Sequence, residues 1–98
     1  MVPAVSVATS IKIGAISYSV SEAPIRECGL IDYDSQTICL RDSLGKDTQA
    51  VTLWHEIIHG ILYNMGQTNH DEILVDGIAH GIVQVLNDNP HLRGKRNG

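Results

Sequence analysis

The chain has 98 residues, 43% of them hydrophobic, and a formal net charge of −4, as expected for one small globular domain. All the acidic residues precede residue 91, whereas three of the seven basic residues follow it, so the body of the chain is acidic. This charge argues against nucleic acid as the main partner. We predict neither a signal peptide nor a membrane span, and therefore a cytoplasmic protein. We also predict one domain over residues 1–98, with mobile ends at 1–10 and 91–98.

The first half of the chain is predicted to form strands. Residues 11–19 alternate loosely between apolar and small polar side chains, which predicts one strand with a change of phase near Gly14. Residues 21–27 contain Pro24 and charged side chains, and we predict a loop there. Two short β-prone runs, 28–33 and 36–41, flank turn-forming residues and predict a hairpin. Its cysteines, Cys28 and Cys39, are expected to be reduced, packed thiols, with a disulfide or a second metal site as the alternative.

Two helices are predicted to follow these strands. The first contains residues 51–66, VTLWHEIIHGILYNMG, with Asp47 or Thr48 as the residue that caps its start and Gly66 as the residue that ends it. The second covers residues 69–86, where few positions are polar, so its carboxylates are expected to lie on a buried helix. The apolar positions of the first helix that recur at helical spacing are Val51, Trp54, Ile58, Ile61, Leu62 and Met65. This order of elements predicts an α+β fold, with an antiparallel or mixed sheet of about three strands packed on the two helices.

The first helix contains the motif H-E-x-x-H, with histidines at positions 55 and 59. Residues four apart lie on one face of a helix, so His55 and His59 can bind one zinc ion that keeps an open position for water. Glu56 would lie beside that water and act as general base. The alternative is a chance match, expected in roughly 1 of 100 shuffled chains, or two core histidines hydrogen-bonded to the backbone or to a carboxylate.

A catalytic zinc usually has three protein ligands, and the second helix supplies carboxylates for the third. Glu72 is the predicted ligand, because a short turn after His59 would fold the second helix back over the first. The alternative is a capping role, with Glu72 bonded to the backbone of Asn69. Asp76, one turn later, is predicted to accept a hydrogen bond from a free ring nitrogen of a ligand histidine. The alternative for Asp76 is a solvated or tail-paired carboxylate.

The residues that would stabilise a developing oxyanion are less sharply defined by the sequence. His80 lies one further turn along the second helix, where it is either an oxyanion donor, another ligand, or a partly exposed or core-bonded histidine. Tyr63 is a weaker oxyanion candidate, and His70 and His91 are assigned no role. A free edge at residues 36–41 is predicted to pair with the substrate as an added strand.

The segments LWHEIIHGIL and DEILVDGIAHGIV, preceded by CGLIDYDSQTICLRD, resemble the ImmA/IrrE family of zinc metallopeptidases. These are small gluzincins often carried by phages and mobile elements. The resemblance implies a zincin-like fold, zinc bound by His55, His59 and Glu72, catalysis by Glu56, and Asp76 in a supporting position. It also implies that the protein cleaves a regulatory protein, such as a repressor, in the cytoplasm.

Two other classes of function stay open from the sequence. One is a zinc-stabilised binding or regulatory module that keeps the peptidase fold but cuts little. The other is a structural or interaction protein without metal. Metal analysis separates the last class from the first two, and substitution of Glu56 separates a peptidase from a binding module.

Overall fold

A computed structural model describes residues 9–94. In this part of the chain, four strands precede two α-helices and a short 3₁₀ helix. Their bounds are β1 Thr9–Ile13, β2 Ile16–Ala23, β3 Gly29–Asp32, β4 Thr37–Arg41, α1 Lys46–Asn64, α2 Glu72–Asp88 and the 3₁₀ helix Pro90–Arg93. The predicted α+β class is confirmed, with a mixed sheet of four strands where about three were expected.

The strands form a single sheet in the order β1-β2-β4-β3. β1 and β2 pair antiparallel, β2 and β4 pair parallel, and β3 and β4 pair antiparallel. The predicted hairpin in residues 28–41 is therefore confirmed as β3 and β4. Because β4 pairs with a strand on each side, the predicted free edge at residues 36–41 is wrong, and β3 forms that edge of the sheet.

The single strand predicted over residues 11–19 is wrong, because the chain reverses there. β1 and β2 form a hairpin in which Ile13 pairs with Ile16, leaving a two-residue turn. Gly14 in that turn has φ +62°, a conformation that glycine adopts without steric cost. Asn64, at the end of α1, donates a 2.9 Å hydrogen bond to the carbonyl of Ile13. The last turn of α1 thus holds the hairpin, and β2 extends three residues into the predicted loop.

α1 is the middle layer of the fold, with the sheet on one side and α2 on the other. The core between the sheet and α1 consists of Ile13, Tyr18, Val20, Ile38 and Leu40, with Leu53 and Ile57 of α1 packed against them. The core between the two helices consists of Ile58, Val75 and Ala79, with Val51, Trp54, Leu62 and Ile82 around them. Apolar side chains on both faces of α1 explain its nearly continuous hydrophobic sequence. The predicted stripe is shorter than expected, because Ile61 and Met65 are exposed.

Both helices start at residues other than those predicted to cap them. α1 begins earlier, with Gly45 at the N-cap, so Asp47 and Thr48 lie inside its first turn. α2 begins later, because the side chain of Asp71, and not that of Asn69, accepts hydrogen bonds from the free backbone amides. Asp, Asn, Ser and Thr are all suitable caps, so the residue type alone does not locate a helix start.

The end of α1 has the backbone pattern of a Schellman motif. Gly66 has φ +84° and donates its N–H to the carbonyl of Tyr63, while Gln67 donates to the carbonyl of Leu62. Met65 is the C-cap residue, so Gly66, the residue predicted to end the helix, lies one position after the cap. This motif fixes the direction in which the chain leaves α1 toward α2.

The outer face of α2 is exposed although its sequence is apolar. Only Val75 and Ala79 of this helix are buried, and Ile73 is 87% exposed. Glu72 and Asp76 are exposed as well, so the expectation that these carboxylates lie on a buried helix is wrong. No helix in residues 9–94 combines the length and the hydropathy that a membrane span requires.

Replacing Gly77 by alanine should stabilise the protein by about 0.5–1 kcal/mol, because glycine weakens a helix interior. A methyl group at Gly77 would meet no atom within 4 Å. Gly60 is the matched comparison, because its added methyl would lie 2.8 Å from Cδ1 of Ile13. Urea unfolding of both variants checks this expectation. A Gly77→Ala protein that is less stable than the wild type would contradict it.

Both predicted mobile ends overlap regular structure. Thr9 and Ser10 belong to β1, and residues 90–93 form the 3₁₀ helix. Residues 1–8 and 95–98 lie outside the described part of the chain. Of the two cysteines expected to be packed thiols, Cys39 is partly buried, whereas Cys28 is exposed.

Candidate metal centre

Two histidines of α1 and two carboxylates of α2 meet where the helices approach each other. Nε2 of His55 lies 3.2 Å from Nε2 of His59. Oε1 of Glu72 lies 3.1 Å from the first of these nitrogens and 3.3 Å from the second. Asp76, one turn after Glu72, has its Oδ1 3.2 Å from Nδ1 of His55. The structure thus brings together the three predicted ligands and the predicted supporting carboxylate.

The positions of the protons decide what this cluster can bind. A carboxylate only accepts, so Nδ1 of His55 must donate to Asp76, and the neutral ring then carries a lone pair on Nε2. Lone pairs of His55, His59 and Glu72 can therefore face one another, which is unfavourable without a cation. Zinc–nitrogen bonds of about 2.0–2.1 Å place tetrahedral ligand atoms about 3.3 Å apart. The observed separations of 3.1–3.3 Å fit such an ion.

The burial of His59 favours the neutral ring that a metal ligand requires. The pKa of His59 is lowered from its ordinary value, first by burial and then by His55 and His70, against the opposing effect of Glu72. His55 is more exposed, with 21% of its side chain accessible. Without a metal, a protonated His55 would satisfy Asp76 and Glu72 by donating from both ring nitrogens. The ion-pair arrangement is therefore the metal-free alternative for the same geometry.

Glu56 is buried beside the cluster, on the side that faces the edge strand. Burial is the main reason why its pKa is raised; Glu72 also raises it, while His55 lowers it. A raised pKa makes this carboxylate a stronger base, which favours acceptance of a proton from water. Gly29 of β3 lies directly over it, since an added methyl at Gly29 would come 3.2 Å from Oε2 of Glu56. The missing side chain at Gly29 allows the edge strand to approach Glu56.

Replacing Gly29 by alanine should lower the peptidase activity predicted from the sequence roughly 10- to 100-fold, because it displaces β3 from Glu56. The added methyl would lie 2.6 Å from Cγ2 of Thr52, a contact that forces the strand or the helix to move. Zinc affinity should change little, since the three candidate ligands lie on α1 and α2. Gly45→Ala is the control, because its methyl would meet nothing within 4 Å. Steady-state kinetics and a zinc titration test this, and equal kinetics for both variants would contradict it.

Two clefts open on either side of this site, and Gly29, His55 and Glu56 line both of them. The first, of about 490 Å³, extends along the start of α1. Its remaining walls come from Cys28, Asp47, Thr48, Val51, Thr52, Asp76 and His80. The second, of about 550 Å³, extends along β3 and is also lined by the other two candidate ligands. A chain that crossed from one cleft to the other would pass Glu56 and the histidines.

The two predicted oxyanion donors lie at the walls of these clefts. His80 is 64% exposed, and its Nε2 is 3.6 Å from Oδ2 of Asp76, so it lies beside the carboxylate that supports His55. Tyr63 stacks on Tyr33, with ring centroids 3.9 Å apart and planes 4° from parallel. Burial and the nearby charge of Glu56 raise the pKa of Tyr33, which keeps its hydroxyl protonated.

Sequence reasoning missed two residues at this site, Tyr33 and His70. Tyr33 lines the second cleft with Glu56 and Glu72, but it lies there because the hairpin packs against α1, a long-range contact for which the sequence carries no signal. His70 was assigned no role, yet its Nδ1 lies 2.7 Å from Nδ1 of His59. Its position in the turn depends on how α1 ends, which residue spacing does not reveal. His91 lies in the 3₁₀ helix.

Comparisons with known proteins do not identify the family. No family model matches the chain, and neither a curated protein nor a solved structure shows significant similarity to it. The resemblance to the ImmA/IrrE family therefore stays a prediction based on the motif and the segments around it.

Proposed function

We propose that the protein is a zinc-dependent metallopeptidase. The observation that supports this most directly is the convergence of three lone pairs, from His55, His59 and Glu72, beside a buried carboxylate. Two imidazole nitrogens and one carboxylate are a ligand set that zinc prefers in hydrolases. A structural zinc site would normally have four protein ligands, whereas three ligands leave a position for a reactant. The resemblance noted from the sequence adds a regulatory protein as the proposed substrate.

In the proposed reaction, a zinc ion would polarise the peptide carbonyl and lower the pKa of the attacking water to about 7. Glu56 takes one proton from that water as the oxygen forms a bond to the carbonyl carbon. Glu56 then gives the proton to the peptide nitrogen as the carbon–nitrogen bond breaks. The second proton of the water passes from the new carboxyl group to the amine, so the products are a carboxylate and an ammonium group. Asp76 holds the ring of His55 in the tautomer that leaves Nε2 free.

The edge strand β3 provides the proposed path for the substrate. Arg41 donates its backbone N–H to the carbonyl of Cys28, which fixes the alternation of the antiparallel β3–β4 ladder. By that alternation, Leu30 bonds to β4, while Gly29 and Ile31 direct their N–H and C=O groups to the free edge. An extended peptide could add to this edge as a further strand. This path replaces the one predicted along residues 36–41.

Backbone methylation of the substrate tests this path. Replacing a peptide N–H that faces β3 by N–CH₃ removes one donor and adds bulk at the strand edge, so turnover should fall at least about 10-fold. A methyl group on the adjacent residue, whose N–H faces away from β3, is the matched control. Equal rates for both peptides, measured by chromatography, would exclude pairing along β3.

The proposed function itself is tested on purified protein loaded with zinc. Elemental analysis should give one zinc per chain, and incubation with a mixture of unstructured peptides should give new termini detectable by mass spectrometry. Dialysis against a chelator should abolish cleavage, and added zinc should restore it. Zinc binding without cleavage of any peptide would favour the second candidate, a metal-stabilised binding module. The exposure of His80 and Tyr63 favours that candidate, because neither predicted oxyanion donor is buried in the site.

A further inference from the structure

His70 lies in the turn between the two helices, against the more buried candidate ligand. Its Nδ1 is 2.7 Å from Nδ1 of His59, and its Nε2 is 2.6 Å from the carbonyl oxygen of Gln67. The two rings differ in plane by 20°, and their centroids lie 4.9 Å apart. The nitrogens are much closer together than the centroids, so the rings meet edge to edge, as a hydrogen bond between them requires.

The direction of each hydrogen bond follows from its chemistry. A carbonyl oxygen only accepts, so Nε2 of His70 carries a proton and donates it to Gln67. In the neutral ring of His70, Nδ1 is then a lone-pair acceptor. His59 must therefore donate from its own Nδ1, and its Nε2 is left with the lone pair that faces Glu72.

The end of α1 explains why the ring of His70 is held there. The Schellman motif bonds the N–H of Gln67 to the carbonyl of Leu62 at 2.9 Å, so Gln67, whose carbonyl accepts from His70, is anchored to the end of the helix. On the other side, Asp71 caps α2 directly after His70. The histidine is thus held between two helix ends, and its ring orientation is determined before any metal binds.

We propose that His70 is a positioning residue that fixes the tautomer of His59 and directs its Nε2 at the metal. Each ligand histidine then has a partner for its other nitrogen: Asp76 for His55, and His70 for His59. A neutral imidazole serves this purpose without adding negative charge to a site that already contains Glu56 and Glu72. The inference rests on the metal binding that the proposed function requires.

Two substitutions of His70 distinguish positioning from packing. His70→Leu keeps bulk but removes the acceptor, whereas His70→Asn places a side-chain oxygen close to the position of Nδ1. Loss of a group that orients a metal ligand typically costs 10- to 100-fold in metal affinity. We expect that loss in His70→Leu, and recovery to within about 3-fold of the wild type in His70→Asn. His91→Leu, a histidine exposed in the 3₁₀ helix, is the control and should bind zinc like the wild type.

Zinc affinity is measured by competition with a chromophoric chelator, and the visible spectrum of the cobalt-substituted protein reports the ligand geometry. In metal-free protein, nitrogen-15 NMR of the imidazoles should show the proton of His59 on Nδ1 in the wild type, and a mixture of tautomers in His70→Leu. Equal affinities and tautomers in the wild type and His70→Leu would overturn the role of His70. A wild-type protein that binds no zinc would instead overturn the proposed function, while the NMR result would still test the hydrogen bond.

Discussion

Replacing Glu56 by glutamine should reduce peptide hydrolysis to a small residual rate while the protein keeps its zinc and its fold. The amide has nearly the same shape as the carboxylate, so its packing beside Gly29 is retained, but it cannot accept the proton of the attacking water. General acid–base groups contribute about 10²- to 10⁴-fold to the rate, and we expect a loss in that range. Peptide cleavage is followed by mass spectrometry, and zinc content by elemental analysis.

Glu27→Gln is the matched control for this substitution, because Glu27 is an exposed carboxylate in the loop before β3. It removes the same charge from the chain without touching the site, so cleavage should continue at the wild-type rate. A Glu56→Gln protein that still cleaves peptides at a rate close to that of the wild type would exclude Glu56 as the general base.

The same substitution should change how the stability of the metal-free protein depends on pH. Burial raises the pKa of Glu56 above its ordinary value of 4.5, so the folded protein retains a proton that the unfolded chain releases. The wild type therefore loses stability as pH rises from about 4.5 through the higher folded-state pKa. Glu56→Gln lacks this loss, so its stability relative to the wild type should be greater at pH 7 than at pH 4.

Removal of zinc should lower the stability of the wild type by several kcal/mol, and His59→Ala should eliminate this dependence on metal. A ligand that binds only the folded state at 1,000 times its dissociation constant contributes about 4 kcal/mol. In a domain of this size, that corresponds to roughly 15–30 °C in melting temperature. The effect should be large here because α2 itself buries only Val75 and Ala79, so ligands shared by the two helices would add to a small apolar contact.

Circular dichroism melting curves with zinc and with chelator measure this difference for each variant. His59→Ala should give nearly the same curve under both conditions, below that of the zinc-loaded wild type. His80→Ala, on the same side of α2 but apart from the three ligand atoms, should keep the full response to chelator. Wild-type curves that coincide with and without zinc would show that no metal stabilises the fold.

The local parts of this structure were predictable because they depend on short-range geometry. Four-residue spacing puts His55 and His59 on one face of any helix, and the short turn before Glu72 brings the second helix back against the first. Alternating apolar residues around turn-forming ones likewise identified the β3–β4 hairpin. These inferences needed neither the sheet order nor the burial of individual side chains.

The remaining parts depend on long-range pairing, which alternation of side chains does not encode. In residues 11–19, a hairpin that reverses at Gly14 gives the same sequence of apolar and polar side chains as one continuous strand with a change of phase. β2 pairs parallel with β4, although β3 and the loop before it lie between them in the sequence. This pairing makes β3 the edge strand. The apolar sequence of α2 suggested burial, yet Ile73 and Leu74 are exposed, because only one side of this helix meets α1.

The length of β3 limits what the protein could process. Only Gly29 and Ile31 turn their main-chain groups outward, so a guest segment would gain about four backbone hydrogen bonds, together worth a few kcal/mol. The free energy of unfolding of a folded domain is about 5–15 kcal/mol, so these hydrogen bonds are too weak to separate a strand from a folded substrate domain. We therefore expect cuts in linkers and tails that are already unfolded. Such cuts would separate folded domains of a substrate from each other and leave each domain intact, which is regulatory cleavage and not degradation.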